Sequence, residues 1–247
     1  MRYIIALDQS TQGTKGLLLD EKGMPVCRVS RPHEQIVLPN GYVEHNPEEI
    51  YDNVIGVVRD LLEKSHVGTQ ELVGVGISNQ RETALAWDRQ TGKSFGNAVV
   101  WQCGRGEAIC QRIAEAGHEA AVQKKTGLRL SPYFSAAKIA WILENREDAQ
   151  EAARAGGFLC GTMDSFLIYR LTGGKEFRTD VSNASRTQLM NLTTLDWDPE
   201  MCEWFGIRKD MLPRICSSDA LFGMTDFEGV LERLISIHGV LEDSHAA

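Results

Sequence analysis

Three clusters of side chains in the 247 residues have types and spacings that can do chemistry. The first is Asp8-Gln9-Ser10-Thr11-Gln12-Gly13-Thr14-Lys15, an acid followed by hydroxyls, amides, a glycine and a lysine. Small residues let backbone N–H groups close on an anion, and lysine adds a compact positive charge. The Asp8 carboxylate suits a hydrated Mg²⁺, which takes one or two carboxylates and fills its shell with water and phosphate oxygens. A polar turn facing solvent has the same composition, so composition alone leaves both readings open. The second cluster is Arg81-Glu82. A guanidinium fork can hold a hydroxyl or phosphate oxygen, and a carboxylate can accept from a polyol hydroxyl. Adjacent Arg and Glu on a loop are nevertheless more often a solvated pair. The third is Glu242-Asp243-Ser244-His245. Two acids beside a phosphate-holding turn suit phosphoryl transfer, which needs positioning, charge neutralisation and a base for the attacking hydroxyl. His245 can serve as a base, but a lone histidine is more often structural. Trp101 and Tyr133, taken singly, read as core or rim aromatics, and Asp164 as a residue near a helix start.

Each cluster follows an apolar run, as ligand sites do beyond the carboxyl ends of strands in open α/β sheets. Tyr3–Leu7 and Gly16–Asp20 flank the first as a buried hairpin, and Pro25–Val29 alternates as a third, antiparallel strand. Asn46-Pro47-Glu48-Glu49 starts a helix to about Lys64, with Asn46 as N-cap and Glu49 placed for a capping box. Leu72–Ser78 is a continuous apolar run, which predicts a central strand covered on both faces and ending at Arg81-Glu82. Strands over 84–87, 98–101 and 158–161, helices over 104–116, 134–145 and 164–171, and a strand over 237–241 that delivers Asp243 complete the pattern. Strands and helices in this order predict an α/β fold with a mixed sheet.

Composition narrows the function. Hydrophobic content of 43% and charged content of 24% are those of a globular domain. A net charge of −8 opposes nucleic-acid binding. No run reaches the about eighteen apolar residues of a membrane span. Met1-Arg2 enters a strand instead of a signal peptide, so the expected location is cytoplasmic. Six cysteines without a C-x-x-C pair read as reduced thiols, and the six histidines lack metal-site spacing.

Several blocks together resemble the N-terminal domain of the FGGY-type carbohydrate kinases, most closely the glycerol kinase group. They are Ala6-Leu7-Asp8-Gln9-Ser10-Thr11, Gly41-Tyr42-Val43-Glu44-His45-Asn46-Pro47, Ile77-Ser78-Asn79-Gln80-Arg81-Glu82-Thr83, Val100-Trp101-Gln102-Cys103, Tyr133-Phe134-Ser135 with Lys138, Gly161-Thr162 with Asp164, and Asn183-Ala184-Ser185-Arg186-Thr187. The resemblance spans essentially the whole chain. It implies an actin/ribonuclease-H-like fold, α/β with a mixed sheet flanked by helices, and ATP- and Mg²⁺-dependent phosphorylation of a terminal hydroxyl. It makes Arg81, Glu82 and Tyr133 binders of substrate hydroxyls and Trp101 an apolar wall. Asp243 becomes the general base, Asp8 the metal neighbour, and Thr11, Gln12, Gly13 and Lys15 the phosphate turn.

Departures from the family pattern bear on the substrate. Glu242 stands where a glycine is usual, and two carboxylates facing one cleft would raise the Asp243 pKa by repulsion. Ser244, expected with Asp243 to contact the substrate, stands where a glutamine helps hold glycerol, Gly104 where an arginine follows, and Lys15 where an arginine is usual. Family members are roughly twice this length, with a second domain carrying most of the nucleotide site. Residues 1–247 are therefore expected to be the substrate-binding and catalytic-base half without its C-terminal nucleotide-binding half, and inactive alone. The expected partners are a small polyol or sugar and ATP, with neither nucleic acid nor membrane, and a homo-oligomer is left open. A kinase for another polyol or ketose, a non-catalytic sugar-binding module and a metal-dependent nuclease on the same scaffold are the alternatives. The nuclease needs several convergent acids and a basic approach surface, against which the −8 charge weighs.

Overall fold

The computed structural model describes residues 1–246. It opens on β1 (Tyr3–Ser10), β2 (Gly13–Leu19) and β3 (Pro25–Pro32), joined as an antiparallel meander. Ile5, Leu7 and Leu18 point into the core while their neighbours stay partly exposed, the period of two of a sheet covered on one face. β1 runs past Asp8 to Ser10, so Asp8 lies within the ladder and not beyond the strand end.

Short β4 (Ile36–Val37) and β5 (Val43–His45) lead to α1 (Pro47–Ser65). Asn46 caps this helix by accepting the Glu48 N–H, and Pro47 fills the first turn, where no N–H is needed. The expected capping box does not form. Glu49 instead accepts the Glu34 N–H at 3.2 Å, because the chain before the helix folds back across its first turn.

The chain continues through β6 (Leu72–Asn79), β7 (Ala84–Asp88), β8 (Ala98–Val99), α2 (Glu107–Glu115), α3 (Glu119–Thr126), α4 (Ser135–Asn145), α5 (Glu147–Ala155), β9 (Phe158–Thr162) and α6 (Met163–Leu171). Two small pairings follow, β10 (Arg178–Asp180) with β13 (Arg214–Cys216) and β11 (Met190–Asn191) with β12 (Asp196–Trp197). They are accompanied by α7 (Val181–Ala184) and α8 (Pro199–Trp204). β14 (Leu221–Thr225) and β15 (Ile235–Glu242) return to the first sheet, and α9 (Asp243–Ala246) ends the described chain. The helices α3 and α5 were not foreseen, and the strand expected over 98–101 stops at Val99, leaving Trp101 in a turn.

Two sheets result. The larger has the order β14-β15-β6-β1-β2-β3, with β6 parallel to both β1 and β15 and the remaining pairs antiparallel. It is the mixed sheet that the residues predict, with helices packed on one face of it. The smaller, β4-β5-β8-β7-β9, is antiparallel. Parallel pairing of β1 with β6 needs a long crossover, and α1 supplies it. α1 and α6 lie between the sheets, Arg170 of α6 bonding Glu48 of α1 at 2.8 Å. β6 is central as expected but covered on only one face. Leu72, Val75 and Ile77 are buried, whereas Gly74, Gly76 and Ser78 form an open face. Small side chains there leave room above the sheet, and Asp8 and Asp243 border that room.

Candidate functional site

The parallel register places three chain segments side by side. Asp8 pairs with Ser78 across β1 and β6, and Leu241 pairs with Ser78 across β15 and β6. β15 reaches this register through a bulge at His238-Gly239, where Gly239 takes φ 69°, a left-handed value that glycine adopts without a Cβ penalty. Asp243 therefore emerges beside Asp8 over the open face. A hollow of about 650 Å³ is lined there by Asp8, Ser10, Lys15, Ser78 and Asp243. A second, of about 620 Å³, is lined by Thr11, Gln12, Gly13, Lys15, Trp101 and Asp243. Asp243 belongs to both.

The first turn is a two-residue hairpin, with Ser10 paired to Gly13 and Thr11-Gln12 at the tip. Ser78 donates to Asp8 Oδ1 at 2.9 Å, and Lys15 Nζ donates to Asp8 Oδ2 at 3.2 Å. Each carboxylate oxygen keeps a further acceptor position. Among the described residues no three metal-ligating side chains converge. One half-exposed carboxylate is the donor set of a cation that keeps most of its water, which suits Mg²⁺ and excludes a dedicated protein cage.

Arg81, Glu82 and Tyr133 line neither hollow and form a third group behind Asp243. Glu82 is buried, against the solvated-pair reading, and sits at φ 60°. A non-glycine residue in the left-handed region costs about 1–3 kcal/mol and persists only where its surroundings hold it. Here Arg186 Nε donates to Glu82 Oε1 at 2.7 Å, and Ser135 Oγ donates to the Glu82 carbonyl at 3.2 Å. Burial pushes the Glu82 carboxyl up, with Arg186 and Arg81 pulling it back. Arg81 Nε lies 3.4 Å from Glu82 Oε1, and its Nη1 lies 3.3 Å from Glu242 Oε2. Tyr133 packs edge-on to Trp101 with ring centroids 5.7 Å apart, and burial raises its phenol. The fully buried Lys138 fixes this loop by donating to the carbonyls of Pro132, Tyr133 and Phe134.

A polar chain joins the groups. Gln80 Nε2 donates to Gln9 Oε1 at 3.1 Å, Thr83 Oγ1 donates to Gln80 Oε1 at 2.9 Å, and the Trp101 N–H donates to Thr83 Oγ1 at 3.2 Å. Trp101 Nε1 then donates to Thr11 Oγ1 at 3.0 Å, tying the expected apolar wall to the expected phosphate turn. Burial, then His33, pushes the His45 imidazole down to about 3, so the neutral ring accepts from Gln80.

Asp243 is half-buried, and its pKa is raised first by burial, then by a hydrogen bond to Glu242 and repulsion from it, with Arg81 opposing. The effect expected of Glu242 is present, second to desolvation. Ser244 is exposed and offers its N–H to Glu242 Oε2 at 2.9 Å. His245 does have a partner, the Glu242 carboxylate. Sequence reasoning did not single out Arg186 as a site residue. It stands 104 positions from Glu82, and no spacing pattern connects them.

Comparison with known proteins identifies the family and the fold. Residues 3–247 match the model of the FGGY family of carbohydrate kinases, N-terminal domain. Glycerol kinase 1 of Thermotoga maritima is 47% identical over 245 residues, covering 99% of this chain and 50% of that protein. The glycerol kinase of Desulfitobacterium hafniense is 43% identical over 246 residues, covering 100% and 50%. The crystal structure of Plasmodium falciparum glycerol kinase with ADP superposes with a TM-score of 0.93 at 37% identity, covering 100% of this chain and 49% of that one. Gluconate kinase from Lactobacillus acidophilus superposes at 0.86 with 26% identity, covering 99% and 48%. The chain thus spans about half the length of the relatives it matches.

Proposed function

The chain belongs to the FGGY family of carbohydrate kinases, and from that premise we propose that it carries the acceptor-binding and base-bearing side of an ATP-dependent kinase for glycerol or a close polyol. Asp243 takes the proton of the attacking terminal hydroxyl. A base works best with its pKa drawn toward the working pH, and burial beside Glu242 moves this carboxyl in that direction. Arg81 and Glu82 orient the other hydroxyls, and Tyr133 and Trp101 flank the carbon chain. Thr11, Gln12, Gly13 and Lys15 meet the phosphates. Asp8 holds a hydrated Mg²⁺, which when bound neutralises phosphate charge. On this reading the reaction runs in the cytoplasm, a compartment that supplies ATP, and no helix among the described residues is long and apolar enough to cross a membrane.

The observation that carries this reading is the position of Asp243 on both hollows, between Asp8 and Lys15 on one side and Trp101 with the Thr11–Lys15 turn on the other. Calorimetric titration of glycerol and a phosphorylation assay test it, the latter with the C-terminal half of the Thermotoga maritima relative supplied in trans. Asp243→Asn should lower turnover by about 10²–10⁴-fold while changing glycerol affinity less than about threefold. Equal turnover in the two proteins would remove Asp243 from the role of base.

A further inference from the structure

In the proposed transfer Glu242 acts only through Asp243, yet its carboxylate is fully buried among charged groups at the heart of the site. Its Oε2 lies 3.3 Å from Arg81 Nη1, and its other oxygen meets His245 Nδ1. The opposite edge of the Arg81 guanidinium, at Nε, lies 3.4 Å from Glu82 Oε1. One arginine thus lies within ion-pair distance of two buried carboxylates. The backbone enforces this, because Glu242 pairs with Asn79 across β15 and β6, two residues before Arg81. A buried carboxylate that shares its cation with another is costly to keep, and removing either partner leaves uncompensated charge.

The local balance matters for what can approach. Glu82, Glu242 and Asp243 bring three carboxylates, against the guanidiniums of Arg81 and Arg186. Lys138 Nζ bonds the carbonyls of residues 132–134 and adds only a minor pull on Glu82. Arg81 would otherwise be the natural anchor for an anionic acceptor, since its fork matches a carboxylate in two hydrogen bonds.

We propose that Glu242 determines acceptor specificity: by sharing Arg81 with Glu82 it cancels the guanidinium's charge and fixes its fork, so the site takes a neutral polyhydroxy chain and rejects one ending in a carboxylate. The inference rests on the reading that the acceptor meets Arg81 and Glu82. Specificity of this kind is made by placing like charge against the wrong ligand.

Glycerol and glycerate test it, as they differ mainly by one CH₂OH replaced with a carboxylate. Calorimetry on the 247-residue chain at pH 7.5 and low salt should show glycerol binding at least about tenfold more tightly than glycerate. In Glu242→Gln that preference should shrink by about tenfold, while Glu242→Asp, which keeps the charge, should still reject glycerate. An unchanged preference in Glu242→Gln overturns the proposal. A measurement without ligand covers the case in which the variants do not fold. Side-chain ¹⁵N NMR of the wild type should show slow rotation about the Arg81 guanidinium bonds. A freely rotating Arg81 in a chain that binds glycerol sinks this proposal alone. An immobile Arg81 in a chain that binds no glycerol sinks the acceptor reading beneath it.

Discussion

Asp164 carries an electrostatic cost that the hollow does not explain. Its carboxylate is fully buried and accepts hydrogen bonds from Thr162 Oγ1 and Thr179 Oγ1, both at 2.6 Å. Burial, and then the neighbouring Asp180, push it up to about 7. A carboxyl raised in the folded state binds more protons there than in the unfolded chain. Its favourable contribution is therefore complete below about 4 and lost as pH rises to about 7. Asp164→Asn removes that titration. Urea unfolding at pH 4.5 and pH 8 should show the stability of wild type relative to the variant falling between them, with a ceiling of about 4 kcal/mol from the size of the shift. A difference that does not change with pH would mean that Asp164 stays ionised throughout. Little of this was legible in the sequence, where Asp164 reads as a helix-start residue. It does lie in the first turn of α6, but the burial comes from Thr179, fifteen residues on. Arg81-Glu82 shows the same limit, since the pair looks solvated until Arg186 and Glu242 arrive from distant strands and loops.

Among the elements, the β1–β2 hairpin and its turn are the most constrained. Gly13 belongs to the expected phosphate turn, and the fold gives it a second duty. It faces Pro32 across the β2–β3 ladder, and a Cβ there would stand 2.5 Å from the Arg31 carbonyl oxygen. That neighbour is backbone and cannot swing aside. Gly13→Ala should therefore cost about 2 kcal/mol, as overpacking does, and lower Tm by about 4–8 °C in a thermal melt. A Tm within about 1 °C of wild type would show that the strand edge yields freely. The hairpin, α1, β6 and β15 were legible because hydrophobic period, turn residues and caps agree along them. α3 and α5 were not. α3 buries only Val122 and Thr126, and the apolar face of α5 is alanine alone, so neither writes a stripe of large apolar residues into the sequence. β6 misled in the opposite way: a continuous apolar run suggests two covered faces, but glycine and serine on one side are what leave the hollow open.

Across the whole molecule, the five-stranded sheet is the seam between two cores. Along β7, Leu85 and Trp87 point into the core shared with α1, α6 and the six-stranded sheet, while Ala84 and Ala86 point into the core of α2, α4 and α5. β9 alternates in the same way, Leu159 to one side and Phe158 and Cys160 to the other. Trp87 stacks edge-on against Phe166 at 5.4 Å, and Phe158 stacks on Phe95 at 5.7 Å, so adjacent strands anchor both cores. A strand that alternates between two cores cannot leave one without opening the other. Chains above about 150 residues commonly unfold through intermediates, and two separate cores would be the obvious place for one. Here the shared sheet predicts a single transition, with tryptophan fluorescence and far-UV circular dichroism giving the same urea midpoint. Leu159→Ala, which should cost about 2–5 kcal/mol in the first core, should move both probes together. Two midpoints, or a shift in only one probe, would mean that the cores melt separately. In that event Leu159→Ala would loosen the groups over the six-stranded sheet and spare the Arg186 side, because Asp243 is hung from β15 in the first core while Ala184, two residues before Arg186, is packed in the second.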